Sequence, residues 1–162
     1  MKNLFLIRHA KSDHPPFTED FSRTLTGSGK TDAALVASKA KAILPSQYII
    51  WSSNAVRATA TAKIFASQWS LPQEDIHYID QLYTFDSNSL EKTIHSCSDS
   101  HSNLVVFGHN EAITEFVNKF GDIYIDNVPT SGLVHLTFEN NHWASISRGH
   151  TERVILPRDL RL

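Results

Sequence analysis

The feature that most constrains this chain is a pair of four-residue apolar runs that each lead into a histidine. Residues 4–7 (LFLI) are followed directly by Arg8 and His9, and residues 104–107 (LVVF) are followed, after one glycine, by His109. Short runs that are apolar throughout predict buried strands. In open α/β sheets, functional groups collect just beyond the carboxyl ends of the strands. The two histidines are therefore candidates for one common site.

Helical patterns alternate with strand-like runs along the rest of the chain. Thr26 is predicted to cap a helix that runs to about residue 44, because its hydroxyl can accept a hydrogen bond from a free amide of the first turn. Such alternation is typical of a layered α/β domain. We predict an α/β fold, a three-layer α/β/α sandwich with a mainly parallel central sheet, as a single domain over residues 1–162. An antiparallel edge hairpin is expected over residues 133–138 and 143–147. Further strands are predicted over residues 48–51 and 76–79, and further helices over 54–68, 90–96 and 111–120.

The composition limits the partners that the chain can have. Hydrophobic residues make up 41% and charged residues 20%, and the formal net charge is -2, so no general positive field attracts nucleic acid. No apolar stretch reaches the ~20 residues that a membrane-spanning helix needs. The single cysteine, Cys97, excludes an internal disulfide and favours a reducing compartment. We therefore predict a cytoplasmic protein with no nucleic-acid or membrane partner.

Arginines near the same strand ends indicate an anion-binding site. Arg57 lies in the stretch SSNAVRA (residues 52–58), near the start of the helix predicted after the second strand. Free amides and the helix dipole at such a terminus favour an anion, and the planar guanidinium matches phosphate oxygens. The sequence thus predicts a phosphoryl site in which Arg8 and Arg57 bind the oxygens. His9 and His109 would lie at the phosphorus.

Five stretches in chain order carry a family resemblance. They are LIRHAKS (6–12), RTLTGSG (23–29), SSNAVRA (52–58) with Thr61-Ala62 behind it, VFGHN (106–110) and PTSG (129–132). In these stretches the chain resembles the histidine phosphatase superfamily, which has a phosphoglycerate mutase-like fold, and within it the small SixA-type phosphohistidine phosphatases.

The resemblance implies a role for each candidate residue. His9 would be the nucleophile that accepts the phosphoryl group, Arg8, Arg57 and His109 would complete the phosphate pocket, and Arg23 would line the same pocket. A histidine attacks phosphorus only when it is neutral, so one ring nitrogen must be held as a donor, usually by a backbone carbonyl. No metal or other cofactor is expected, because the arginines and a histidine supply the positive charge.

One position departs from the family pattern. Many relatives carry a glutamate, in an L-x-E sequence, that protonates the leaving oxygen, and here the stretch reads Leu82-Tyr83-Thr84. Asp80 and Asp86 are the nearest acids along the chain. A phosphohistidine imidazole can arrive protonated on its other nitrogen and leave as neutral imidazole without an enzymatic acid. We hypothesise that the chain acts on N-linked phosphate, and the resemblance implies a histidine-phosphorylated protein domain as partner. The alternative is a small-molecule phosphomonoesterase of the same superfamily.

A competing interpretation concerns Gly27 to Thr31 (GSGKT), which resembles the end of a nucleotide-binding P-loop. The position five before Gly29 is Thr24, where that motif requires glycine. The preceding residues 20–23 also lack the pattern of a buried strand. A nucleotide binder is therefore the less favoured alternative to a phosphatase.

Overall fold

The computed structural model describes residues 1–162 and contains one six-stranded sheet with four α-helices. The strands are β1 (Lys2–Arg8), β2 (Ile49–Ser52), β3 (Ile76–Tyr78), β4 (Asn103–Gly108), β5 (Leu133–Phe138) and β6 (His150–Ile155). The helices are α1 (Gly27–Ala40), α2 (Val56–Gln68), α3 (Ser87–His95) and α4 (Ala112–Phe120). The strand order is β3-β2-β4-β1-β5-β6, in which the first four strands are parallel and the last two pair antiparallel. The predicted α/β fold with a mainly parallel sheet is confirmed.

Alternate residues of the central strands face two different apolar cores. Leu4 and Leu6 of β1 pack in a core with residues of α3 and α4, whereas Phe5 and Ile7 pack in a second core with residues of α1 and α2. A strand that is covered on both faces has to be apolar throughout, which explains the continuous runs in the sequence. The predicted three layers are confirmed, and we propose that residues 1–162 form a single domain because both cores share one sheet. None of the helices combines the length and the apolar character needed to cross a bilayer.

The edge hairpin forms with a different second strand from the predicted one. β5 pairs with β6, while Trp143–Ser145 form a 3-10 turn. Trp143 and Ile146 are both buried in the core that contains α3 and α4, and side chains three residues apart share one side of such a turn. The prediction of a strand over residues 143–147 is therefore wrong. β6 does not show a simple period-two pattern, because its pairing register with β5 shifts. The shift leaves Glu152 without a paired residue on β5.

The P-loop-like sequence forms the first turn of α1. As predicted, Thr26 caps this helix, since its side-chain oxygen accepts from the Gly29 N–H at 2.9 Å. The element before α1 is the 3-10 turn Asp20–Ser22, so the buried strand that a P-loop follows is not formed there. A β-carbon on Gly29 would lie 2.3 Å from the carbonyl oxygen of Lys11. The glycine therefore allows α1 to pack closely against the chain that follows β1.

Three neighbouring parallel strands end at the same edge of the sheet. Arg8 of β1 pairs with Gly108 of β4, and the His9 N–H donates to the carbonyl of that glycine at 3.1 Å. β2, which ends at Ser52, pairs with β4 on its other side. This register places His9, His109 and the start of α2 at one edge.

Candidate active site

One cavity of about 320 Å³ is lined by every residue that the sequence predicts for the site. These residues are Arg8, His9, Arg23, Arg57 and His109. The other lining residues are Lys11, Ser12, His14, Asp20, Phe85, Asn110 and Thr130. The structure thus brings together side chains that are up to about a hundred positions apart along the chain. Although the net charge of the whole protein is negative, basic side chains outnumber acidic ones in this cavity.

The His9 ring is held in the form that a nucleophile requires. Its Nδ1 lies 2.7 Å from the carbonyl oxygen of Ala10, which can only accept, so Nδ1 carries the proton and Nε2 keeps its lone pair. Nε2 accepts a long hydrogen bond of 3.3 Å from Nε of Arg57. Burial is the main cause that lowers the pKa of His9 to about 4, and the charges of nearby arginines act in the same direction against the Ala10 hydrogen bond. The ring is therefore neutral near pH 7.

His109 lies beside His9, and its Nδ1 has no hydrogen-bond partner. The two imidazole centroids are 5.2 Å apart. Ser53 Oγ accepts from the Ala55 N–H at 3.1 Å and lies 2.8 Å from Nε2 of His109, so the serine proton is available to that nitrogen. When the serine donates to Nε2, Nδ1 of His109 carries the ring proton, and Nδ1 has no hydrogen-bond partner. Burial is the main cause that lowers the pKa of His109 to about 3, and His9, once protonated, and Arg57 act in the same direction.

The guanidinium of Arg57 is buried in the first turn of α2, where it is only 2% exposed. Besides its contact with His9, it donates through Nη1 to the backbone oxygen of Asp20 at 2.6 Å and through Nη2 to the Asp20 carboxylate at 2.9 Å. Arg8 donates through Nη1 to the carbonyl of Val128 at 3.0 Å, while its buried Nε has no partner. Both arginines thus present fixed, partly unused donors to the cavity.

Thr61 links the chain next to His9 with Arg57. Its hydroxyl accepts from the Ala10 N–H at 2.9 Å and donates to the Arg57 carbonyl at 2.7 Å. Ala10 is also the residue whose carbonyl fixes the His9 ring. One buried hydroxyl therefore connects the loop after β1 with the first turns of α2, which explains the presence of threonine one helical turn after Arg57.

Asp20 is the functional candidate that sequence reasoning missed. It is the one acidic side chain that lines the cavity, and its carboxylate accepts hydrogen bonds from Arg57, from Arg23 at 3.0 Å and from Tyr83 at 2.5 Å. Partial burial acts to raise the pKa of Asp20, but the hydrogen bonds from Tyr83, Arg57 and Arg23 hold that pKa well below its usual range. An anion already occupies arginine donors that a phosphoryl group would use. The only signal of this role in the sequence is the position of the acid three residues before Arg23.

Arg23 is positioned by the loop on which it lies. Its Nε donates to the carbonyl of Asp13 at 3.0 Å, and its Nη2 lies 2.6 Å from Ser12 Oγ and 2.7 Å from Nε2 of His14. With its contact to Asp20, most of its donors are engaged. The guanidinium of Arg23 is therefore fixed in the cavity by these hydrogen bonds, and it holds the Asp20 carboxylate in place.

The acids named as substitutes for the missing glutamate have other contacts. Asp86 caps α3 by accepting from the Ser89 N–H at 3.1 Å, and Asp80 accepts from the side chain of Asn54. Thr84 accepts from the backbone N–H of Asp86 at 3.2 Å. None of Asp80, Thr84 and Asp86 lines the cavity.

Comparison with known proteins places the chain in a family. Residues 4–93, more than half of the chain, match the model of the histidine phosphatase superfamily, branch 1. The chain belongs to this superfamily. The matched range contains Arg8, His9, Arg23 and Arg57, whereas His109 lies beyond it. A curated but uncharacterised protein of Mycobacterium tuberculosis is 26% identical over 153 residues, which cover 88% of this chain and 93% of that protein.

Several solved structures share the fold over almost the whole chain. The protein histidine phosphatase SixA, in complex with tungstate, superposes with a TM-score of 0.82 at 18% identity and covers 98% of this chain and 99% of its own. A protein assigned as SixA from Agrobacterium tumefaciens gives 0.74 at 22% identity, with 96% and 98% covered. A protein assigned as an α-ribazole-5'-phosphate phosphatase from Escherichia coli gives 0.71 at 15% identity, with 100% of both chains covered. At these identities the likeness concerns the fold alone.

Proposed function

We propose that this histidine phosphatase superfamily member moves a phosphoryl group first to Nε2 of His9 and then to water. The observation that carries the proposal is the state of the His9 ring. The Ala10 carbonyl holds Nδ1–H, Nε2 keeps its lone pair, and a pKa of about 4 keeps the ring neutral. A neutral imidazole with an available lone pair, set among arginine donors, is what nucleophilic phosphoryl transfer requires.

In the first step, a bond forms between Nε2 of His9 and phosphorus while the bond from phosphorus to the leaving atom breaks. The electron pair of the broken bond departs with the leaving atom. Negative charge in the transition state is spread over the equatorial phosphoryl oxygens. Arg8, Arg57 and His109 supply fixed donors for these oxygens, which is electrostatic stabilisation without reorganisation. Arg57 exchanges its long bond to His9 for a bond to the phosphoryl group.

In the second step, water attacks the phosphorus of the phosphorylated His9. The bond from Nε2 to phosphorus breaks, and its electron pair returns to the ring. Both protons of the water remain with the phosphate product, so the ring regains its neutral form with Nδ1–H still bound to Ala10. No other acceptor of the phosphoryl group is required, which makes the overall reaction a hydrolysis.

We infer that the substrate is a phosphohistidine on a protein domain. Thr84 replaces the family glutamate, and the acid that lines the cavity, Asp20, is held ionised by its donors. Such a site suits a leaving group that already carries its proton. An imidazole that is protonated on its second nitrogen is a leaving group of this kind. The free, buried Cys97 supports a reducing compartment, and we propose the cytoplasm. Equal turnover of a sugar phosphate would favour a small-molecule phosphomonoesterase instead.

The decisive experiment is to trap the phosphorylated protein. Rapid quenching with a ³²P-labelled aryl phosphate, followed by peptide mapping, is expected to find an acid-labile, base-stable label on His9. The His9→Ala variant is expected to carry no label and to have no turnover. His142→Ala, which changes an exposed histidine paired with Asp99 outside the cavity, is the control and keeps the label. Full activity of His9→Ala, or a label on another residue, contradicts the proposal.

A further inference from the structure

A carboxylate in a phosphate-binding cavity needs an explanation, because it repels the anion that the arginines attract. The Asp20 side chain is 44% exposed, so it could turn into water without burial cost. It lies instead between Arg57, Arg23 and Tyr83, which hold it at the cavity. This position is useful when the molecule that enters carries a positive charge next to its phosphoryl group.

Three aromatic side chains lie beside this carboxylate, and we call Phe21, Tyr83 and Phe85 the aromatic rim. The rings of Phe21 and Tyr83 meet edge to face at 5.3 Å, and those of Tyr83 and Phe85 at 5.7 Å. Phe85 also contacts the ring of His109 at 5.6 Å and lines the cavity.

The aromatic rim is partly exposed. Phe21 is 39% and Phe85 is 51% exposed, so both rings can cover an incoming apolar surface. Aromatic faces and edges favour planar rings as partners, and aromatic faces also attract cations. A carboxylate in the same place adds a hydrogen-bond acceptor for a charged N–H. The combination matches a planar ring that carries one N–H and a positive charge.

We propose that Asp20 and the aromatic rim form a leaving-group subsite that selects the imidazolium ring of a phosphorylated histidine. The inference rests on the transfer to His9 proposed above. The phosphoryl-bearing ring packs against the aromatic rim, and its second nitrogen donates its N–H to the Asp20 carboxylate. When the N–P bond breaks, the electron pair returns to the ring nitrogen. The ring then leaves as neutral imidazole and keeps its N–H proton.

Three substrates separate the two parts of the subsite. Phosphohistidine has a planar ring and a charged N–H, phenyl phosphate has only the ring, and glycerol phosphate has neither. The kcat/KM of each is measured for the wild type, for Asp20→Asn and for Phe85→Ala. Ratios between substrates cancel any effect of a variant on the phosphate site itself. Glu19→Gln and Phe17→Ala are the matched controls, because both residues are exposed and neither lines the cavity.

In Asp20→Asn, the kcat/KM ratio of phosphohistidine to phenyl phosphate is expected to fall about tenfold, as for the loss of one charge-assisted hydrogen bond. In Phe85→Ala, both ring substrates should lose about three- to tenfold relative to glycerol phosphate. The control variants keep the wild-type ratios. Equal changes for all three substrates would overturn the subsite. If the label is on His9 but the ratios stay constant, only the subsite fails, whereas an unlabelled His9 refutes the proposed function itself.

Discussion

The Thr61→Val substitution tests whether one hydroxyl aligns His9 with Arg57. Valine has nearly the shape of threonine but cannot accept the bond from the Ala10 N–H or donate to the Arg57 carbonyl, which are 2.9 and 2.7 Å long. Ala10 and Thr61 are both fully buried, so water cannot take the place of the hydroxyl without a rearrangement. The substitution leaves the Ala10 donor without a partner.

The expected size of the effect follows from this geometry. A buried donor left unsatisfied costs ~1–3 kcal/mol, and we expect the free energy of unfolding to fall by about 2 kcal/mol. The Arg57 carbonyl keeps its place in α2, so it adds little to this loss. Because the Ala10 carbonyl also holds the His9 ring, a shift of this peptide misaligns Nε2. Misplacement by 1 Å can cost on the order of 100-fold in rate, and a smaller shift should lower kcat about tenfold.

Urea unfolding followed by circular dichroism measures the stability. Turnover of phenyl phosphate, assayed under conditions in which every variant is folded, measures kcat. Thr61→Ser is the matched control, because it keeps the hydroxyl and loses only a methyl group, at a cost of about 1 kcal/mol. It should restore most of the kcat. A Thr61→Val protein with wild-type stability and kcat would refute the reasoning. Equal loss of kcat in Thr61→Val and Thr61→Ser would show that packing, not the hydroxyl, matters.

Three further predictions concern single groups. Arg57→Lys removes the planar fork that contacts His9 and Asp20 together and should lower kcat by on the order of 100-fold; a steady-state assay that finds kcat unchanged contradicts this. Asp20→Asn should strengthen inhibition by inorganic phosphate about three- to tenfold, since the ion pairs of the half-exposed Asp20 carboxylate with Arg57 and Arg23, of ~0.2–1 kcal/mol each, no longer compete; a higher inhibition constant would argue against competition. Burial lowers the pKa of His135 to about 4, so its stabilising contribution is present above pH 6.5 and is lost as the pH falls towards 4. Urea unfolding at about pH 7.5 and about pH 5 should show a smaller pH dependence in His135→Gln than in the wild type, and an identical dependence contradicts it.

The success and the failure of the strand predictions have different physical causes. The central strands β1 and β4 are covered by helices on both faces, so their apolar runs appear in the sequence without interruption. β6 lies at the sheet edge with a shifted register, and its buried residues Thr151 and Ile155 are too few to mark a strand. Trp143 gives a strong apolar signal there, but it fills the core from a 3-10 turn. The local apolar pattern favoured the wrong segment, because it indicates which residues are buried and not which residues pair in a strand.

The site residues divide in the same way. The common location of Arg8, His9 and His109 could be predicted, because residues at the carboxyl ends of neighbouring parallel strands lie at one edge of the sheet. Asp20 begins a short 3-10 turn without a periodic sequence pattern, so nothing in the neighbouring sequence places it against Arg57. The carbonyl that holds the His9 ring was expected as a type of group, but its identity as Ala10 depends on the turn after β1.

The order of apolar runs and helices was enough to determine the layered α/β fold, the parallel strands and the edge at which the histidines and arginines meet, because these depend on periodicity and on short connections between neighbours. Tertiary structure alone decided which acid entered the cavity, which hydroxyl joined the loop after β1 to α2 and which aromatic ring lined the cavity. These contacts join residues from segments far apart in the chain, such as Asp20 with Tyr83 and Thr61 with Ala10. The sequence pattern does not give the spatial distance between such segments, because that distance is set only when the chain packs.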